Sequence, residues 1–290
     1  MLYFQDIITR LQTFWTQNGC SILQPFDRQV GAGTFHPATV LRCLEDRSAE
    51  RPWRICYVQP SRRPTDSRYG KHPNRAQHYY QFQVILQPSP IDIQDLYLES
   101  LRTLGLNPQE HDIRFIEDDW KSPTLGAWGL GWEVWCDGME ITQFTYMQEI
   151  GEVKLSSIPG EITYGLERLA LYIQNKESFA EIEWSDGVLY KDLEVYEEQN
   201  SIFNLELTNQ EKLRQEFTSV VDEAKEIAKF QRVPAIVYDY CIRASHIFNL
   251  IDARGLNHIE RESYIAQVKE LAKIACSQWR ALYEERNKQW

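Results

Sequence analysis

Between residues 5 and 17 the apolar side chains Ile7, Ile8, Leu11, Phe14 and Trp15 fall at helical spacing, and Asn18-Gly19 is a pair suited to ending a helix. Cys20 to Gln24 is a short apolar run closed by Pro25, which predicts a strand. Strand character returns at Trp53 to Gln59 and, over a longer stretch, at His78 to Leu86, where HYYQFQVIL runs up to Pro88. Residues 91–104, IDIQDLYLESLRTL, carry an amphipathic helical pattern that Gly105 closes. Further strands are predicted at 112–117, 130–137 and 139–150, the last two joined by Asp137-Gly138, a hairpin signal. The segment ITYGLERLALYI, entered through Pro159-Gly160, changes from strand to helical period. Strands without regular βαβ alternation predict an α+β fold, an antiparallel β-sheet flanked by helices.

Thirteen of the fourteen glycines and eleven of the twelve prolines precede residue 190, so turn punctuation almost stops there. Beyond it, apolar residues recur at helical spacing in three segments: Leu213 to Ile227, Ile236 to Ile251, and Tyr264 to Leu282. The pattern predicts a catalytic-sized domain over 1–200 and an all-α bundle over 201–290. No internal repeat is visible.

Apolar residues make up 43% of the chain and charged residues 25%, ordinary values that exclude a disordered, collagenous or coiled-coil protein. No apolar run approaches the roughly 20 residues that span a bilayer, and the start MLYFQDIITRLQTFW lacks secretory character. A cytoplasmic protein without membrane association is expected. The six cysteines are scattered with no CxxC or Cys/His pair at zinc spacing, so reduced thiols and no zinc are expected.

The net charge of -11 hides an uneven distribution. Residues 28–75 carry ten Lys/Arg against four Asp/Glu, whereas residues 92–208 carry seven against twenty-four. An anionic ligand suits the first stretch and a cationic partner surface the second. The acidic total and the lack of a continuous basic face argue against a pure nucleic-acid-binding module.

Two constellations carry candidate chemistry. In YVQPSRRPTDSRYGKHPNRAQHYYQFQVILQP, two strands flank a loop bearing Arg62, Arg63, Arg68, Lys71, His72 and Arg75, and the second strand opens with His78, Tyr79, Tyr80 and Phe82. Arginine forks suit phosphate oxygens and a strand aromatic offers a base a stacking face, so a nucleoside triphosphate site is indicated. A solvated hairpin tip is the plain alternative. In GEITYGLERLALYI, Glu161, Gly165, Glu167 and Arg168 sit at a strand-to-helix junction, where an arginine in the first turn can reach a phosphate.

In order and separation these segments resemble the three signature motifs of class II aminoacyl-tRNA synthetases. LQTFWTQNGCSILQP, with Gly19 and Pro25, is similar to the first motif, a helix, glycine and short strand at a dimer interface. Arg62 or Arg63, with His78 to Phe82, resembles the second, an arginine strand followed by a His/Arg-x-x-x-Phe strand. Gly160, Gly165, Glu167 and Arg168 resemble the third. The blocks QPFDRQVGAGTFHP, DIRFIEDDWKSPTLGAWGLGWEVWCDGMEITQFTYMQ and GEITYGLERLALYIQ are closer still to the α subunits of bacterial heterotetrameric glycyl-tRNA synthetases, over essentially the whole chain.

This resemblance implies a glycine-tRNA ligase α subunit that uses ATP with Mg2+, forms an α homodimer and joins a β subunit as α2β2. Glycine and tRNA(Gly) are its implied partners, with β holding most of the tRNA. It assigns the α-phosphate to Arg62, with Arg63 as the substitute because Arg-x-Glu is replaced by Ser61-Arg62-Arg63-Pro64. Arg168 and His78 fall to the γ-phosphate side, Glu167 to the ATP site, and Phe82 to stacking on adenine. Glu149 and Glu140 are the Mg2+ candidates. For glycine, the ammonium acceptors are Glu161, Glu133 and Gln143 with Thr34 and Gln81, and Trp120, Trp128, Trp132 and Trp135 supply bulk that denies space to a side chain. Rival readings are a non-catalytic paralogue and an ATP-dependent ligase of the biotin or lipoate type.

Overall fold

Side chains of a strand alternate between faces, and the strand HYYQFQVILQ sorts its residues onto the two sides of a sheet that organises the molecule. The protein is described here by a computed structural model covering residues 2–287 except 194. The first elements are α1 (Phe4–Gln17), β1 (Ser21–Ile22), α2 (Pro37–Val40), β2 (Trp53–Arg62), β3 (His78–Gln87) and α3 (Ile93–Thr103). Next come β4 (Ile113–Glu117), β5 (Trp120–Ser122), β6 (Ala127–Cys136), β7 (Met139–Ile150), β8 (Val153–Lys154), β9 (Gly160–Gly165) and α4 (Leu166–Gln174). A small hairpin, β10 (Glu183–Ser185) and β11 (Val188–Leu189), leads to α5 (Tyr190–Leu193) and α6 (Glu197–Ile202), which a π-helical turn at Phe203–Leu207 extends. The chain ends in α7 (Gln210–Ala228), α8 (Pro234–Asp252) and α9 (His258–Asn287).

Nine strands form the main sheet among the described residues, in the order β1-β2-β3-β9-β7-β6-β4, with β5 on β6 and β8 on β7. Its pairings are antiparallel except β1 against β2, so the sheet is mixed at one edge. The β6–β7 hairpin turns at Asp137-Gly138, both at positive φ (48° and 88°), the backbone that a right-twisted two-residue turn requires. Gly131 is fixed by closeness: a Cβ there would sit 2.2 Å from Phe144 O on the next strand.

One face of the sheet presents Phe82, Val84, Leu86, Phe144, Ile162 and Tyr164 to α1, α3 and α4. From α1 come Phe4, Ile7, Leu11 and Trp15, all fully buried, each worth about 1.5–3 kcal/mol relative to exposure. The other face, through Ile55, Tyr57, Ile85 and Met147, shares one hydrophobic core with α7, α8 and α9. The helices beyond residue 201 therefore cover the sheet, which matters for the site described next.

Candidate active site

A cavity of about 420 Å³ opens on the face carrying the odd-numbered residues of β3. Register places Gln81 opposite Gly165 and Gln143 opposite Thr163, and these four form a polar floor from β3, β9 and β7. Arg63, Asp66, Asn74, Arg75 and Tyr79 contribute from the end of β2, the following loop and the start of β3. Glu140, Glu167 and Arg168 come from β7 and α4, Ala32 and Thr34 from the glycine-rich loop, and Trp120 from β5. Three guanidinium groups thus share one cavity, an arrangement suited to a polyphosphate.

Two of the three are held by direct side-chain contacts. Arg63 donates through Nε to Gly31 O at 3.0 Å and lies 5.1 Å over the Tyr79 ring. Arg168 pairs with the Glu140 carboxylate and also meets the Glu140 carbonyl at 3.3 Å. The loop that carries Arg75 is gripped by α6 and its π-helical extension, whose polar side faces inward. Glu197 accepts from Gln77 N at 2.8 Å, Ser201 Oγ from Tyr69 N at 3.0 Å, and Asn204 Nδ2 donates to Ser67 Oγ at 3.0 Å. The outer side of the same helix exposes Tyr196, Phe203 and Leu207.

Glu161 lies on β9 beneath the floor, 2% exposed. Its Oε1 accepts from Thr34 Oγ1 at 2.7 Å and from the Gln83 amide. Burial pushes its carboxyl up to about 7, while the bonds from Thr34 and Gln83 pull the other way. Gln83 Oε1 and Gln143 Nε2 are buried without a hydrogen-bond partner, so the floor has polar capacity to offer a ligand.

Face and position separate several of the expected residues from the cavity. Phe82 is fully buried on the opposite side of β3, edge-on to Tyr164, and lies off the cavity. His78 shares that parity and packs on Tyr80 at 5.3 Å. The four-residue spacing is instead met three positions earlier by Arg75 and Tyr79, both on the cavity. Arg63 rather than Arg62 lines it; Arg62 lies toward α8, where burial, with the Arg62 charge adding, holds the His246 imidazole at about 4. Glu133 accepts the Trp135 indole at 2.9 Å outside the cavity, and Trp132 packs among Phe115, Phe144 and Tyr146. Trp128 and Glu149 line a separate surface hollow with Lys269. Gly19 closes α1, and β1, just before Pro25, lies at the sheet edge.

Of the expected residues, Arg63, Arg168, Glu167, Thr34, Gln81, Gln143, Trp120 and Glu140 meet on the cavity. Glu167 is 2% exposed and ties α4 to β3 and α5, accepting from Tyr80 N at 2.7 Å and Tyr190 OH at 2.8 Å. Thr163, Asp66 and Gln83 were not expected; strand parity from Gln81 and Glu161 identifies Gln83 and Thr163, whereas nothing in the sequence marks Asp66.

Away from the cavity, His111, Cys136 and Asp137 converge within 4.8 Å, the one such group among the described residues. The Tyr172 hydroxyl bonds to both His111 and Asp137, so these side chains form a hydrogen-bonded cap on the β6–β7 hairpin. No described helix is long and apolar enough to cross a membrane.

A family model described as glycyl-tRNA synthetase alpha subunit matches residues 4–284. Among curated relatives, the glycine–tRNA ligase alpha subunit of Rickettsia bellii is 56% identical over 285 residues, covering 96% of this chain and 97% of its own. Those of Rickettsia canadensis (56% over 290 residues) and Rickettsia prowazekii (55% over 291 residues) each cover 98% of this chain and 99% of their own. Among solved structures, pyrrolysyl-tRNA synthetase from Desulfitobacterium hafniense aligns with 64% of this chain and 75% of its own, at 14% identity and a TM-score of 0.45.

Proposed function

The chain belongs to the glycyl-tRNA synthetase alpha subunit family, and from that premise we propose that its cavity joins glycine to ATP as glycyl-adenylate. A glycine carboxylate oxygen attacks the α-phosphorus, the bond from that phosphorus to the bridging oxygen breaks, and pyrophosphate leaves. A second step passes glycine to the 3′ end of tRNA(Gly) and releases AMP. The observation that carries this reading is the meeting of Arg63, Arg75 and Arg168 above a half-buried floor of Gln81, Gln143 and Thr163.

In-line displacement at phosphorus calls for positioning and charge neutralisation more than for acid or base catalysis. Arg63 holds the α-phosphate and the attacking carboxylate, while Arg75 and Arg168 neutralise the departing pyrophosphate. Tyr79 gives adenine an aromatic face. Glu140 and Asp66 are cavity carboxylates of the hard-oxygen type that suits Mg2+, which when bound neutralises charge on the phosphates. Glycine's ammonium is met by the floor amides and by the Thr34–Glu161 pair. Trp120 narrows the space beyond the α-carbon, and overpacking of this kind costs a larger competitor about 1–3 kcal/mol.

The α homodimer forms through the Gly19–Pro25 segment, and a β subunit supplies most of the tRNA contact. The acidic stretch 92–208 is unsuited to a nucleic-acid backbone and suits a basic protein surface. The test is amino-acid-dependent exchange of pyrophosphate into ATP across all twenty amino acids, with and without β, for the wild type and Arg168→Ala. Exchange with glycine alone, lost in the variant, is expected; silence with β present overturns the reading.

A further inference from the structure

The glycine-rich loop between β1 and α2 lacks strand pairing of its own, yet it carries Thr34 onto Glu161. On its inner side, Val30 O accepts from Arg62 N at 2.7 Å, Gly31 O from Tyr79 OH at 2.9 Å, and Gly33 O from Tyr57 OH at 3.0 Å. Gly33 N donates to Gln81 Oε1 at 2.7 Å.

Further attachments come from α8, more than 200 residues further along the chain. Tyr238, fully buried, donates its hydroxyl to Phe35 O at 2.6 Å, beside Thr34. The neighbouring Asp239 receives the Arg28 guanidinium as a fork, at 2.6 and 2.9 Å. A side chain at Gly31 would also meet Asn249 of the same helix at 3.8 Å. The loop is therefore clamped between the sheet and one helix of the C-terminal region.

We propose that Tyr238 and Asp239 are positioning residues for the amino-acid subsite, setting glycine affinity by holding Thr34 against Glu161. This rests on the glycine-activating reading of the cavity. The two anchors differ in weight. The Arg28–Asp239 fork lies at the surface, where ion pairs contribute little and salt screens them. The Tyr238 side chain is fully buried and its bond is adjacent to Thr34, so it carries most of the effect.

Tyr238→Phe deletes one oxygen and keeps the ring in the core. With the full chain and its β subunit, pyrophosphate exchange is followed against glycine and against ATP, alongside thermal unfolding and hydrogen exchange of the amides at 31–35. Expected for Tyr238→Phe is a rise in glycine KM of about five- to tenfold, the size of one lost hydrogen bond, with ATP KM within about twofold and faster exchange of the loop amides. Asp239→Asn should raise glycine KM about twofold, an effect that vanishes in high salt.

A glycine KM unchanged in Tyr238→Phe overturns the proposal, as does an equal rise in both KM values with lowered thermal stability, which denotes general loosening. A wild-type enzyme silent with glycine defeats the functional reading first and takes this inference with it.

Discussion

The Thr34 hydroxyl donates to Glu161 Oε1 at 2.7 Å, joining a loop to a strand 127 positions later in the chain. Burial raises the Glu161 carboxyl from its ordinary 4.5 to about 7. Between those values the folded chain keeps a proton that the unfolded chain releases. This contribution to stability is present in full below about pH 4.5 and is lost as pH rises through 7, by an amount on the order of 3 kcal/mol. Glu161→Gln carries no titrating group, so its stability relative to the wild type should improve steadily from pH 4.5 to 7.5. Urea unfolding across that range reads the difference, and parallel curves for the two proteins would refute the assignment.

Strand parity separates Tyr79 from Phe82. Tyr79 lines the cavity, whereas Phe82 lies in the apolar layer beneath α1, α3 and α4. Tyr79→Ala should raise the KM for ATP about tenfold or more, the weight of one base stacked on an aromatic ring. Phe82→Leu leaves a void in that layer, so it should lower stability by roughly 1–3 kcal/mol while leaving ATP KM near the wild-type value. Exchange kinetics and chemical denaturation on the two variants decide, and the opposite pattern would return adenine to Phe82.

Much of the fold is legible in the chain because period and punctuation mark it directly. The helix predicted over 5–17 is observed at Phe4–Gln17, and the strands predicted at 78–86 and 139–150 at His78–Gln87 and Met139–Ile150. The site is less legible, since spacing alone does not say which face of a strand meets a cavity. Gln81 and Phe82 are neighbours on one strand and point to opposite faces, so they cannot line the same hollow; burial decides which does. Tyr238 and Asp239 are invisible as site residues, because their reach to the loop depends on how α8 packs against the sheet.

Gly33 faces the Gln83 side chain at close range, and a Cβ there would lie 2.6 Å from Gln83 Oε1. Gly33→Ala must push that amide aside, which is cheap for a side-chain end but removes one of the two donors to Glu161. The expected result is a stability loss of about 1–2 kcal/mol and a glycine KM raised about tenfold, with ATP KM little changed. Pairing Gly33→Ala with Gln83→Ala checks the route: the shortened side chain should recover most of the lost stability without restoring glycine affinity.

Arg168 reaches the cavity from the first turn of α4 and is oriented by Glu140, through both its carboxylate and its carbonyl. Lysine keeps the charge but lacks the planar fork that can grip Glu140 and a phosphate together. Arg168→Lys should therefore raise ATP KM and lower exchange by about 10–100-fold, while Arg168→Ala removes the charge as well and should lose about a further tenfold. Glu140→Gln weakens the orienting contact and also removes one of the two carboxylates that suit Mg2+, so its exchange should fall below wild type with the guanidinium still in place. Equal activity in wild type and Arg168→Lys would show that only positive charge is needed there, and that the Glu140 contact holds strand to helix instead of aiming the arginine.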